Sequence, residues 1–228
     1  HACGHDIHMA TAVGMVSILR EVEHLWSGTL LFVGQPSEEI GKGAKQVLAN
    51  KKFKELIRRI GRPKVALALH DAADIPAGTV SLLGGFANAN VDSVNITVFG
   101  KGGHGARPQD TIDPIVIGAH IVTSLQTIVS RRLPPGEPAV VTVGQFSGGS
   151  KHNIIPPDAI LLLTVRSYSD ETRNQLLSEI KKISTHTARA HGATRDPKVE
   201  ILDEWTPAAF NDPKWTKAIR TQFQESLG

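Results

Sequence analysis

His1-Ala2-Cys3-Gly4-His5-Asp6-Ile7-His8 puts three histidines, a thiol and a carboxylate into eight residues at the mouth of a helical pattern. Thiolate and imidazole are good ligands for zinc and similar divalent metals. Cys3 and His5 are two apart with Gly4 between them, so both can face one side of an extended segment. Asp6 can orient a ligand or cap the helix. Gln35-Pro36-Ser37-Glu38-Glu39 directly follows the apolar run Leu30 to Val33. Carboxylates just past the C-terminal end of a buried strand sit where α/β folds place their chemistry. Neighbouring carboxylates point in different directions, so one can bind metal while the other faces a water as general base. His70 closes a second apolar run, Val65 to Leu69. Taken singly, each segment also reads as a polar loop, a set of acids at a helix N-terminus or a core histidine. Together they place metal-type donors on successive loops of one sheet edge.

A second group of polar turns lies further along. Gly100-Lys101-Gly102-Gly103-His104-Gly105-Ala106 lets backbone approach a ligand or a neighbouring chain closely. It lacks the Gly-Lys-Ser/Thr ending of a phosphate loop. His104 could donate to a developing oxyanion, and Asn153 in Gly148 to Pro156 could do likewise. Arg166, at a strand end, could hold a substrate carboxylate. Each also reads as a turn residue or a surface charge. His24, His120, His186 and His191 fall on helical stretches and read as structural or solvated.

The elements that must position these groups follow from periodicity. Helical spacing runs through 7–25, and Gly28 is its stop signal. The runs 30–33 and 65–69 suit strands buried on both faces of a parallel sheet, with a helix between them at 42–60. The pattern changes near residue 91: Val94, Ile96 and Val98 alternate with Asn95 and Thr97, which predicts a half-buried strand. A helix at 112–132, strands at 140–146 and 159–165, a helix at 171–190 and a strand at 198–203 complete a β-α-β-β-α-β order, the ferredoxin-like arrangement. A last helix at 213–226 has nothing left to pack on. The expected architecture is an α/β layer at 1–90, an α+β sandwich at 91–204 and a further segment at 205–228, with a hinge near Gly84-Gly85.

Composition bounds the function. The 228 residues are 40% apolar and 21% charged, which fits a globular protein and excludes disorder and collagen-like repeats. No apolar run of about 18 residues suggests a membrane span. The net charge of +3 is too mild to point to nucleic acid, and the Lys51–Arg59 cluster reads as one polar helix face. An aromatic content of 5%, with no exposed aromatic pair on the predicted strands, argues against an RNA-binding sheet. The single cysteine rules out an internal disulfide and fits a reducing, cytoplasmic setting, and no signal peptide is visible.

In order, HACGHD, QPSEE, ALALH, GKGGHGA with a following Pro108, NIIP and the Thr164-Val165-Arg166 strand resemble the dimetal amidohydrolases. That family includes hippurate hydrolase, N-acyl-amino-acid amidohydrolases and the plant auxin-conjugate hydrolases. The likeness spans nearly the whole chain. It implies an amide hydrolase acting on N-acyl amino acids or small peptides, with two divalent ions (Zn, Mn, Ni or Co) per site. Cys3 (between the two metals), His5, Glu39 and His70 would be ligands and Glu38 the general base. His104, Asn153 and Arg166 would form the substrate site of a lid that also makes a homodimer, with His104 reaching the partner subunit's site. The resemblance further implies that this sequence is an excerpt, with one more histidine ligand supplied by a later segment. A catalytically incomplete dimerisation or binding module is the alternative. Asp71-Ala72-Ala73-Asp74 stands where relatives commonly carry apolar or aromatic residues, and would bear on substrate preference.

Overall fold

The computed structural model describes residues 2–227, in two compact units, one up to Ser81 and the other from Leu82 onward. Among the described residues no helix is long and apolar enough to cross a membrane.

The first unit is helical. Helix α1 (His5–Glu21) begins directly after the metal-type motif. The single helix expected over 42–60 is two: α2 (Gly43–Ala49) and α3 (Lys51–Ile60). Asn50 causes the break, because its backbone turns extended and its side chain accepts from the amides of Lys52 and Phe53, starting a new helix. Phe53, Leu56, Ile57 and Ile60 form the half-buried face of α3, and Lys51, Lys52, Lys54, Arg58 and Arg59 the exposed one. The parallel strands expected at 30–33 and 65–69 do not form among the described residues. A strand exists only where a neighbour takes up its amides and carbonyls, and neither run finds one. Leu31 and Val65 are half-buried, but most of the other large side chains of the two runs stay in water, from Leu30 at 43% exposed to Leu67 at 74%.

The second unit carries the core. Strands β1 (Gly85–Asn88), β2 (Asp92–Phe99) and β3 (Gly103–His104) come first. Then come α4 (Pro114–Leu125), α5 (Thr127–Arg132), β4 (Val140–Gly148), β5 (Ile154–Ile155) and β6 (Asp158–Arg166). They are followed by α6 (Asp170–Ala190), β7 (Lys198–Ile201), β8 (Ala209–Asn211) and α7 (Pro213–Leu227). The main sheet is antiparallel, in the order β4-β6-β2-β7. Two short ladders, β1 with β8 and β3 with β5, stand beside it.

The predicted alternation holds residue by residue on β2: Asp92, Val94, Ile96 and Val98 are buried and their neighbours half-buried. The three apolar side chains share one core with Leu161, Leu163 and Val165 of β6, Ile117, Ile121 and Leu125 of α4, and Leu176 and Ile180 of α6. Asp113 caps α4 through the amides of Ile115 and Val116, with Pro114 as first helical residue. The helix expected to run to 132 breaks at Gln126. There the hydroxyls of Thr123 and Thr127 donate back to carbonyls of the preceding turn, which loosens the regular ladder. Helix α7 does find contacts. Asp212 caps it, Thr216 is buried, and Arg220 donates to the Leu82 carbonyl at 2.6 Å.

Candidate metal centre

Three chain segments of the first unit converge on one cluster. Gly4 precedes α1 in the left-handed region, at φ 64°, so the backbone turns sharply between Cys3 and His5. Glycine suits this conformation, and a Cβ there would overlap the Asp71 carboxylate unless that side chain moved. Asp6 does not cap the helix; it lies exposed in the first turn. His1, the first residue of the motif, lies outside the described residues. Donor atoms of Cys3, His5 and His70 all lie within 4.8 Å of one another, and so do those of His5, Glu38 and Glu39. His5 therefore belongs to both sets. Its Nε2 lies 3.4 Å from Glu38 and 3.6 Å from Glu39.

The loop that carries the two glutamates is built tightly. Ser37 adopts φ 52°, a conformation that costs a non-glycine residue energy and marks a constrained loop. The Ser37 and Glu38 carbonyls accept from Gly43 and Gly41, folding Glu38 and Glu39 over the start of α2. Gly43, a buried residue, passes so close that a Cβ would overlap the Pro36 carbonyl oxygen. Gly43→Ala is therefore expected to push this loop aside and cost about 1–3 kcal/mol. Thermal unfolding reads the loss, and an unchanged melting temperature would show that the loop yields freely.

Electrostatics bear on what the cluster can hold. The Cys3 thiol is pushed above its ordinary value by loss of surrounding water, and then by the carboxylates of Glu39, Asp71 and Glu38. Its Sγ stands 3.6 Å from His70 Nε2. The His70 Nδ1–H donates to the Asp71 carbonyl at 2.7 Å, so Nε2 is the free, lone-pair nitrogen. A thiol, two imidazoles and two carboxylates with negative potential around them match the donor set of a borderline divalent cation, which would draw the proton off the thiol. The residues fit such a group.

The cluster unites Cys3, His5, Glu38, Glu39 and His70, all read from the sequence. It also includes His8, expected only as part of the opening motif and not as a ligand, and Asp71, expected only to bear on substrate preference. The signal for His8 was its spacing: three residues after His5 on a helix is the same face. For Asp71 no spacing signal exists, because its place depends on the approach of α1.

The remaining candidates belong to the second unit. His104 pairs with Ile154 across β3 and β5, and the Gly105 amide donates to the Asn153 carbonyl at 2.8 Å. His104 and Asn153 are thus neighbours, both exposed. The Ala106 amide donates to His104 Nδ1 at 3.1 Å, which leaves the proton on Nε2 as an outward donor. Arg166 is exposed at the other end of β6, opposite Val140. Eight residues of extended chain, about 26 Å, separate it from Asp158, so it does not join the His104–Asn153 pair within this chain.

Comparison with known proteins agrees with these features. The profile of peptidase family M20/M25/M40 matches residues 1–228. An N-acetyl-L-cysteine deacetylase of Bacillus subtilis (strain 168) is 39% identical over 220 residues, 96% of this chain and 50% of that protein. An N-acetyldiaminopimelate deacetylase of Geobacillus sp. (strain WCH70) is 38% identical over 226 residues, 99% of this chain and 57% of that protein. The chain therefore spans about half the length of these relatives. A dinuclear metal-binding peptidase of family M20 from Bacillus subtilis superposes with TM-score 0.70 at 27% identity, over 97% of this chain and 53% of that one. The match along the whole sequence, with the cluster of thiol, imidazole and carboxylate donors, places the chain in peptidase family M20/M25/M40.

Proposed function

We propose that the protein hydrolyses the amide bond of N-acyl amino acids or small peptides at a centre of two divalent ions. The observation that carries this reading is the pair of donor sets sharing His5, one with Cys3 and His70 and one with Glu38 and Glu39. The names of the deacetylase relatives support the substrate class, and the dinuclear metal-binding neighbour supports the cofactor. Cys3, His5, Glu39 and His70 are the proposed ligands. A bound divalent ion would supply Lewis-acid polarisation of the amide carbonyl and acidify the attacking water. Glu38 takes the proton from that water and returns it to the leaving nitrogen. The Nε2–H of His104 and the Asn153 amide donate to the carbonyl oxygen as negative charge gathers there. Arg166 pairs with the substrate carboxylate.

Residues 1–90 form part of the catalytic domain in this reading, and 205–228 begin its return. Residues 91–204 form an inserted ferredoxin-like lid. The β-α-β-β-α-β order and the antiparallel β4-β6-β2-β7 sheet support that assignment. The lid pairs two copies into a homodimer, with His104 acting in the partner subunit's site. The test is elemental analysis of the purified protein, with turnover of N-acetyl amino acids measured before chelation, after it, and after return of Zn, Mn, Ni or Co. Bound metal and activity that falls and recovers with it are expected. A folded dimer with neither metal nor turnover would overturn the reading in favour of a binding module.

A further inference from the structure

Asp71 is fastened from several sides. Its amide donates to His8 Nε2 at 3.1 Å, and its Oδ1 lies 3.0 Å from the same nitrogen. One nitrogen cannot accept and donate at once. With its proton on Nε2, His8 donates to the carboxylate; with the proton on Nδ1, it accepts from the amide. Either tautomer ties Asp71 to α1. On its other side, the Asp71 carbonyl takes the His70 Nδ1–H, and the carboxylate fills the space that Gly4 leaves by having no side chain. The His8 and His70 rings stand 4.6 Å apart, edge to face. A histidine ligand works through one nitrogen, and a partner on the other nitrogen decides which. Here that partner is the Asp71 backbone carbonyl at 2.7 Å, with the Asp71 carboxylate beside it at 3.3 Å, and the direction of both depends on how residue 71 is held.

We propose that His8 and Asp71 are a positioning pair: by anchoring residue 71 to α1 they aim its carbonyl at His70 Nδ1, so that His70 presents Nε2 beside Cys3. This rests on the reading of the cluster as a metal centre. Because Nδ1 is already engaged at 2.7 Å, His8, His70 and Asp71 do not form a separate ion site through that nitrogen.

Two readouts test the pair. The first is the ¹⁵N shifts of the His70 ring in metal-free protein, above the imidazole titration range. The second is the affinity for Co²⁺, read from its visible absorption. Wild type is expected to show a single His70 tautomer with Nε2 bare. Asp71→Ala and His8→Ala are each expected to give mixed tautomers and roughly 10–100-fold weaker Co²⁺ binding. Asp71→Asn should largely retain both properties, since its amide oxygen still accepts from His8. The double alanine variant should match the weaker single variant, because the two residues act through one contact. His8→Ala leaves the segment around residue 71 its own side chains and puts alanine into a helix, so it keeps the test open if Asp71→Ala does not fold. An unchanged tautomer with Co²⁺ affinity within about twofold of wild type in His8→Ala, or additive losses in the double variant, would overturn the proposal. Failure of wild type to bind Co²⁺ would instead defeat the metal reading, and the tautomer measurement would still decide the pair.

Discussion

Glu38→Gln is expected to lower kcat by about 10²–10⁴-fold while the protein keeps its fold and its metal. Glutamine fills the same volume and still places an oxygen near His5, but it cannot take a proton from water. Glu38 lies 3.4 Å from His5 Nε2 and is half exposed, open to substrate and water. Glu39 is next to it and nearly as close to the same nitrogen, at 3.6 Å. Distance alone therefore does not separate base from ligand. The paired variants do. If Glu39 is a ligand, Glu39→Gln lowers the bound metal along with turnover, whereas Glu38→Gln lowers turnover alone. Metal analysis and initial rates on both proteins supply the comparison. Loss of metal from Glu38→Gln with retention in Glu39→Gln would exchange the two roles, and full activity in both would remove the carboxylates from the chemistry.

Local chemistry explains which parts of this molecule could be read from its sequence. The alternation from Asp92 to Phe99 became a strand with the expected inward face, because the period-two pattern and the burial it implies are satisfied by one covering layer, helices α4 and α6. The Asp113-Pro114 start of α4 is likewise a local signal, fixed by one side chain and one ring. Leu30 to Val33 and Val65 to Leu69 misled because an apolar run states only that a segment prefers burial. It does not supply the strands beside it, and the described residues of the first unit contain none. The helices expected over 42–60 and 112–132 were interrupted by single polar side chains, Asn50 and the Thr123–Thr127 hydroxyls, which compete for backbone partners without disturbing the apolar period.

The site divides the same way. Cys3, His5, Glu38, Glu39 and His70 were legible because a thiol, imidazoles and paired carboxylates crowd into short motifs whose donor types suit one cation. The contact of His8 with Asp71 was not legible, because it joins positions 63 residues apart and exists only once α1 and the segment after residue 64 lie side by side. Arg166 was legible as a strand-end cation. Its distance from His104 and Asn153 depends on strand length and direction, which the sequence motif does not convey.

The largest stability loss in the second unit is expected from Arg173→Ala. Asp92 is fully buried at the start of β2, and Arg173 of α6 meets it with two parallel bonds, Nε to Oδ2 at 2.8 Å and a terminal nitrogen to Oδ1 at 2.6 Å. The carboxylate raises the already high pKa of the guanidinium, chiefly through these hydrogen bonds, so Arg173 keeps its charge throughout the working pH range. The guanidinium carbon lies over the Trp205 ring, 4.7 Å from its centre, which ties the segment after β7 to the same point. Removing Arg173 strands a charge that water cannot reach, at a cost of about 3–5 kcal/mol. For a unit of this size that is a fall of roughly 6–20 °C in melting temperature. Arg173→Lys keeps the charge but loses the two-pronged geometry, so it should fall between wild type and Arg173→Ala. Asp92→Ala combined with Arg173→Ala should recover part of the loss, since no unpaired charge is left inside. Asp92 pairs in register with Val165, the residue before Arg166. Loosening this corner should therefore also raise KM for a carboxylate-bearing substrate more than it lowers kcat. A melting temperature within about 2 °C of wild type for Arg173→Ala would mean that water reaches Asp92 and that the pair is not what joins α6 to the sheet.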